Sequence, residues 1–80
     1  MNGRRRTAKR GAMGFGYDAG EQRRQVARLT MYAMTGGISW AQSRALRGKI
    51  RNLAAATGMA RAAIEAQAHA DAQILIHENL

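Results

Sequence analysis

The chain has 80 residues, of which 13 are lysine or arginine and five are acidic, so its formal net charge is +8. A chain this short forms one domain with a modest core. It contains no cysteine, which excludes a disulfide framework and thiol chemistry, and no apolar run is long enough for a membrane span. These features predict a cytoplasmic protein with an acidic partner, such as nucleic acid, an anionic membrane surface or an acidic protein.

The first 16 residues have the composition of a flexible basic arm. Glycines at positions 3, 11, 14 and 16 disfavour a stable helix. Blocks of like charge are usually disordered until they meet a polyanion. We expect phosphate contacts from the five basic residues of the arm, which are Arg4, Arg5, Arg6, Lys9 and Arg10. Phe15 and Tyr17 are predicted to pin the end of the arm to the core, and the alternative is that they stack on bases.

Residues 17–80 are predicted to form a single all-α domain of three helices, at about 18–34, 39–57 and 59–77. The first helix begins with a capping arrangement, in which Asp18 is the N-cap and Glu21 lies three residues on. Its predicted buried stripe is Val26, Leu29, Thr30 and Ala33. Its far side carries Arg24 and Arg28, flanked by Met31 and Tyr32.

The second helix begins with the capping-box spacing of Ser39 and Gln42 and ends at Gly58. Its predicted core side is Leu46, Ile50, Leu53 and Ala54. A neighbouring side carries Trp40 and then Arg44, Arg47 and Arg51, which we call the arginine ladder. Arginine suits phosphate because its planar fork donates hydrogen bonds in pairs. The alternative is a solvated basic face, with Trp40 packed against the preceding helix.

The third helix is rich in alanine, and three of the five acidic residues lie in it or directly after it, namely Glu65, Asp71 and Glu78. Alanine favours helix over strand, so the alternation in residues 65–73 is interpreted as helix. The run Ile74, Leu75 and Ile76 is the exception, being either a short strand or an apolar anchor. Alanines all round a helix permit close approach of another helix, which predicts a homodimer through helix three.

Residues 53–67 resemble the helix-turn-helix of small bacterial and phage DNA-binding proteins. The positions that carry the resemblance are Leu53, Ala54, Gly58, Met59 and Ile64. In that family a small alanine allows the helices to cross, the glycine makes the turn, and the two following apolar residues pack into the core. The resemblance implies that the second helix of the motif meets base edges. Candidate base contacts are Arg61, Gln67 and His69.

No constellation for catalysis is visible. The glycine-rich stretch at positions 11–20 lacks the Gly-Lys-Ser/Thr ending of a phosphate-binding loop. His69 and His77 lie eight residues apart without a cysteine nearby, so they are interpreted as solvated surface residues rather than metal ligands. We therefore expect no enzymatic activity, no metal and no cofactor.

The sequence predicts a small nucleic-acid-binding protein, acting on DNA rather than RNA, as a regulator or accessory protein of a bacterium, phage or mobile element. The alternative is a small helical inhibitor or adaptor that binds a partner protein. Its contact residues would be Trp40, Tyr32 and Met31, because aromatic side chains and arginines dominate protein interfaces.

Overall fold

A computed structural model describes residues 16–78 as three α-helices without a strand. Helix α1 is Ala19–Thr35, α2 is Trp40–Thr57 and α3 is Arg61–Glu78. The predicted all-α, three-helix fold is confirmed, with helix limits that differ from the predicted ones by at most two residues. The short-strand alternative for residues 74–76 is wrong, since these residues continue α3. The basic arm lies outside the described residues.

Local capping determines where α1 begins and ends. The carboxylate of Asp18 accepts a hydrogen bond from the backbone N–H of Glu21 at 3.1 Å, as predicted. Glu21 does not complete a capping box, because its own carboxylate accepts hydrogen bonds from Arg24 and Gln25 instead. At the other end Gly36 adopts the left-handed conformation with φ 83°. That conformation favours glycine because a side chain there is strained.

Helix α2 has a complete capping box at its start. Gln42 N–H donates to the Ser39 hydroxyl at 3.1 Å, and Ser39 N–H donates to the Gln42 side-chain oxygen at 2.9 Å. The helix ends at Gly58, which has φ 76° and donates its N–H to the carbonyl of Ala54. Both predicted signals are therefore confirmed, because capping depends only on residues that are close in sequence.

Helix α3 begins two residues later than predicted. The left-handed conformation of Gly58 interrupts the helical path, and the N–H of Met59 donates to the Thr57 hydroxyl at 3.2 Å. The carbonyl of Ala60 accepts the first backbone hydrogen bonds of α3, which the N–H groups of Ala63 and Ile64 donate. The connection between α2 and α3 is thus a three-residue turn, Gly58, Met59 and Ala60.

The core lies where α1 packs against both other helices. It contains Val26, Ile50, Leu53, Ile64 and Ala68, with Ala19, Leu46 and Ala54 packed around it. Helix α1 has more extensive contact with each of α2 and α3 than those two have with each other. The predicted core side of α2 is confirmed in full. Helix α1 is therefore the element on which the other two are assembled.

Two predictions about burial need correction, and two buried alanines were not predicted. Met59 was expected in the core but is 40% exposed, because it lies in the turn rather than on a helix face. Ala33 is exposed, since the contact between helices is made nearer the middle of α1. Ala27 and Ala72 are buried although neither was predicted. Alanine is found in cores and on surfaces alike, so its presence does not indicate which face is buried.

Two polar contacts join α1 to its neighbours. Arg23 forms an ion pair with Asp71 of α3 at 3.2 Å. The ammonium of Lys49 on α2 donates to the side-chain oxygens of Gln22 and Gln25, at 3.3 and 2.8 Å. An exposed ion pair such as Arg23–Asp71 contributes little to stability. Within residues 16–78 no helix is both long and apolar enough to cross a membrane.

Candidate nucleic-acid interface

The arginine ladder is exposed along α2. All three of its residues, Arg44, Arg47 and Arg51, are exposed to solvent. Helical geometry places consecutive members about 4.5 and 6 Å apart along the axis. None of the three forms an ion pair with a carboxylate of residues 16–78. Arg47 makes only a long contact, 3.5 Å from the Ser43 hydroxyl. The guanidinium groups of the ladder are therefore available to an external anion.

The core side of α2 orients the ladder. Leu46, Ile50 and Leu53 anchor α2 against α1 and α3. At about 100° per residue, the ladder lies roughly 120° around the helix from these anchors. Any rotation of α2 that hid the ladder would expose Leu53, which is 2% exposed. The orientation of the arginines thus follows from the hydrophobic core.

Trp40 begins the same face and projects into solvent. It is 73% exposed, so the interpretation in which it packs against the preceding helix is wrong. The guanidinium carbon of Arg44 lies over its ring, 5.0 Å from the centroid. A cation in this position is attracted by the ring, by about 0.5–1 kcal/mol at an exposed site. The contact orders Arg44 without neutralising its charge.

Small residues line one flank of the ladder. These residues are spaced seven apart and are Ala41, Gly48 and Ala55. They lie beside Arg44 and Arg51, on the part of the α2 surface that is opposite the core. A Cβ atom added to Gly48 would meet nothing within 4 Å. A polymer lying along the arginines would therefore find no bulky side chain on this flank.

Lys49 belongs to the same helix but not to the same surface. Its ammonium is held by Gln22 and Gln25 on α1, and the residue is half-buried. No role for Lys49 was predicted from the sequence. Its spacing places it about 160° around α2 from the middle of the ladder. The spacing in the sequence is enough to predict that Lys49 lies away from the ladder, but not that Gln22 and Gln25 bind it.

The arginines of α1 lie in a different setting from the ladder. Arg23, Arg24 and Arg28 line a cleft between α1 and α3, whose opposite wall includes Asp71 and Glu78. Arg24 donates from two nitrogens to one oxygen of Glu21, at 3.2 and 2.6 Å. Hydrogen bonds from Arg24 and then Gln25 hold the pKa of the Glu21 carboxyl below its ordinary value. Neighbouring carboxylates thus offset the positive charge of this cleft.

The candidate base contacts on α3 do not form one surface. Arg61, Gln67 and His69 are all exposed. At about 100° per residue, however, Gln67 and His69 lie roughly 160° apart around α3. Gln67 borders a small cavity beside Leu53, whereas His69 lies on the other flank of the helix. The face of α3 that points away from the core contains Ala63, Ala66 and Ala70, and its hydrogen-bonding side chains, Gln73 and His77, lie toward the C-terminal end of the helix.

The remaining partner-contact candidates are less accessible than Trp40. Met31 and Tyr32 are both half-buried. Tyr32 lines a shallow recess together with Leu29 and Lys49. Of the three residues predicted to contact a partner protein, only Trp40 is exposed to solvent rather than half-buried.

Tyr17 lies at the junction between the arm and the described domain. It is half-buried, and its phenolic oxygen is buried without a hydrogen-bond partner among residues 16–78. Burial raises the pKa of the Tyr17 phenol. The ring thus packs on the domain, as the pinning interpretation requires. Its proposed companion Phe15 and the five basic residues of the arm lie outside the described residues.

No metal site is assembled in the described part of the chain. Within residues 16–78 no group of three or more histidine, aspartate and glutamate side chains is placed to hold a metal ion.

Comparison with known proteins found no matching family model, no similar curated protein and no similar solved structure. Function is therefore inferred from the geometry of the arginine ladder and Trp40.

Proposed function

We propose that the protein binds nucleic acid, in the first place DNA, by placing the arginine ladder of α2 against the phosphate backbone. The observation that carries this proposal is the exposure of Arg44, Arg47 and Arg51 on one helical face without a carboxylate partner in residues 16–78. The planar donors of arginine match the geometry of phosphate, as they match that of carboxylate, and a phosphate backbone presents such anions in a row. The net charge of +8 over 80 residues supports the same choice of partner.

Within this proposal, binding depends on phosphates more than on sequence. The Gly58 turn between α2 and α3 is compatible with a helix-turn-helix, and Ala54 is packed at the core as that motif requires. Met59, which the motif would bury, is 40% exposed. The outward face of α3 also offers alanines where a recognition helix needs donors and acceptors. We therefore propose an accessory protein with weak sequence preference. If α3 does read bases, Arg61→Ala with Gln67→Ala should erase the preference and spare non-specific affinity.

The test is duplex-DNA binding measured by fluorescence anisotropy over a series of salt concentrations. Affinity should fall steeply with salt, because each neutralised phosphate releases counterions. The variant with Arg44, Arg47 and Arg51 changed to glutamine should bind every sequence more weakly. Its logarithmic salt slope should be shallower by about 0.9 for each phosphate that the variant no longer neutralises.

A matched control removes the same charge elsewhere. Changing Arg23, Arg24 and Arg28 to glutamine also removes three positive charges, but from a cleft that contains Asp71 and Glu78. This control should keep most of the affinity and most of the salt slope. Equal losses in both triple variants would show that net charge alone matters, and an unchanged ladder variant would contradict the proposed surface.

The second candidate is binding to a partner protein, and the observation that favours it is the 73% exposure of Trp40 beside Arg44. Tryptophan and arginine are the residues most enriched among those that dominate interface energies. Purification from the native host, with and without nuclease, separates the two candidates. Nucleic acid recovered only without nuclease supports the first, and a stoichiometric protein that survives nuclease supports the second.

A further inference from the structure

We propose that the nucleic acid on this surface is single-stranded where it meets the start of α2, and that an unpaired base stacks on the ring of Trp40. This inference rests on the proposed function, because it assigns the ligand of the same surface in more detail. Its basis is the arrangement of Trp40, Arg44 and Gly48, which follow one another at four-residue intervals on one side of α2.

The ring of Trp40 has one face open. Arg44 occupies the other face, with its guanidinium carbon 5.0 Å from the ring centroid, and the tryptophan is still 73% exposed. An aromatic ring with a free face is a stacking platform for any base, because every base has a π-face. In a regular duplex the faces of the bases are already stacked on their neighbours. An unpaired base is therefore the partner that fits this ring.

The ladder extends from Trp40 along the axis of α2, so a nucleic-acid strand that lies along the helix would pass all three arginines. The arginines lie about 6, 10 and 16 Å along the axis from Trp40. Each is exposed and has no carboxylate partner within residues 16–78. A base on Trp40 thus places the next phosphates of its strand beside the ladder. A positively charged track joined to an aromatic platform is the usual means of binding single strands without sequence preference.

Gly48 supplies an independent observation. Glycine in a helix interior destabilises the helix relative to alanine. Gly48 has no packing reason to be glycine, because an added Cβ would meet nothing within 4 Å. It also has no conformational reason, since it is not among the described glycines with positive φ. Gly48 is half-buried and lies between Arg44 and Arg51 on the flank of small residues. The absence of a side chain there permits close approach of the backbone of a bound strand to α2.

The experiment uses Trp40 as its own reporter, since it is the only tryptophan of the chain. The full chain is titrated with a short oligothymidylate and with a duplex of equal length. The oligothymidylate should quench the tryptophan emission strongly and the duplex should quench it much less. A parallel titration with oligouridylate separates RNA from DNA as the source of the strand, and quenching by either one supports the inference.

Variants distinguish stacking from charge. Trp40→Ala should bind the single strand about tenfold more weakly, within the range that base–aromatic stacking shows elsewhere, and it should lose more affinity for the single strand than for the duplex. Trp40→Phe should retain most of the single-strand affinity. Gly48→Ala should raise the melting temperature and weaken binding, a combination that a purely structural glycine would not produce. Circular dichroism should show all three variants folded, because Trp40 and Gly48 make no core contact.

The two proposals fail in different ways. Equal affinity for both ligands, with no change in emission and no effect of Trp40→Ala, would overturn the stacking inference and leave phosphate binding by the ladder intact. Failure to bind either nucleic acid at low salt would overturn the proposed function, and the stacking inference with it.

Discussion

Leu53 belongs to the buried core to which all three helices contribute. It is 2% exposed, and its neighbours in the core are Val26 from α1 and Ile64 from α3. A small cavity already adjoins it. The total stability of a small domain is only about 5–15 kcal/mol. A loss at this position is therefore a large fraction of what holds the fold together.

Leu53→Ala should lower the free energy of unfolding by about 2–5 kcal/mol, because it removes buried methyl groups and leaves a larger cavity. Urea denaturation followed by circular dichroism measures this change. Leu46→Ala is the matched control on the same helix, and it should cost clearly less because Leu46 is only half-buried. Equal effects of the two substitutions would contradict the central position of Leu53.

Tyr17 allows a second test at the scale of a single atom. Its phenolic oxygen is buried and has no hydrogen-bond partner among residues 16–78. Removing an unsatisfied buried polar group is nearly neutral or stabilising. Tyr17→Phe should therefore leave the free energy of unfolding within about 0.5 kcal/mol of the wild type, or raise it.

The control for this prediction is Tyr17→Ala, which also removes the ring and should destabilise the protein because the ring no longer packs on the domain. Thermal melting followed by circular dichroism compares the three proteins. A decrease of more than about 1 kcal/mol in Tyr17→Phe would show that the hydroxyl makes a hydrogen bond of ordinary strength.

At the scale of the elements, α2 and α3 differ in how they use their outer faces. Helix α2 presents arginines to solvent, and α3 presents alanines. The exposed, uncharged residues on the outer face of α3 are Ala62, Ala63, Ala66, Ala70 and Gln73, and Ile74 beside them is 56% exposed. Small side chains let two helix backbones approach closely. This face supports the prediction that the protein forms a homodimer through α3.

Sedimentation equilibrium should show a concentration-dependent dimer at micromolar to high micromolar protein. Ala66→Glu with Ala70→Glu should abolish it, because two charges would then lie in the contact. Ala41→Glu with Ala45→Glu is the matched control, since these alanines have the same spacing on the exposed surface of α2. A wild-type chain that stays monomeric throughout this range would remove the dimer prediction.

At the scale of the whole molecule, charge is divided between the helices. Helix α2 contains Arg44, Arg47, Lys49 and Arg51 and no acidic residue. Helix α3 contains one arginine and three acidic residues, Glu65, Asp71 and Glu78. A polyanion would therefore meet the α2 side first, with α3 turned away. Such an asymmetric field accelerates association at low salt and orients the encounter.

The first 14 residues should add to binding without adding to the fold. The described core extends from Val26 to Ala72, so deletion of residues 1–14 should leave the melting temperature almost unchanged. It also removes five positive charges, so DNA affinity and its salt slope should both decrease.

A full-length variant with the five basic residues of the arm changed to glutamine controls for chain length. It should match the deletion in DNA affinity, because the positive charge is absent from both. A large drop in melting temperature on deletion would show instead that these residues stabilise the domain.

Local features of the sequence determined the helices and the ladder. The capping box of Ser39 and Gln42 and the glycine that ends α2 act over a few residues, so their outcome does not depend on the rest of the fold. The spacing of Arg44, Arg47 and Arg51 places them on one face of any helix. These features were therefore predictable without knowledge of which helices pack together.

Contacts between distant segments were decided by the tertiary structure alone. Whether Trp40 packed or projected depended on where α1 ends relative to α2, and the fold leaves it 73% exposed. The burial of Ala27 and Ala72 and the binding of Lys49 by Gln22 and Gln25 depend on which faces meet. The sequence specifies each helix through neighbours within one or two turns. Exposure is set by the packing of whole helices, and alanine-rich faces leave that choice open.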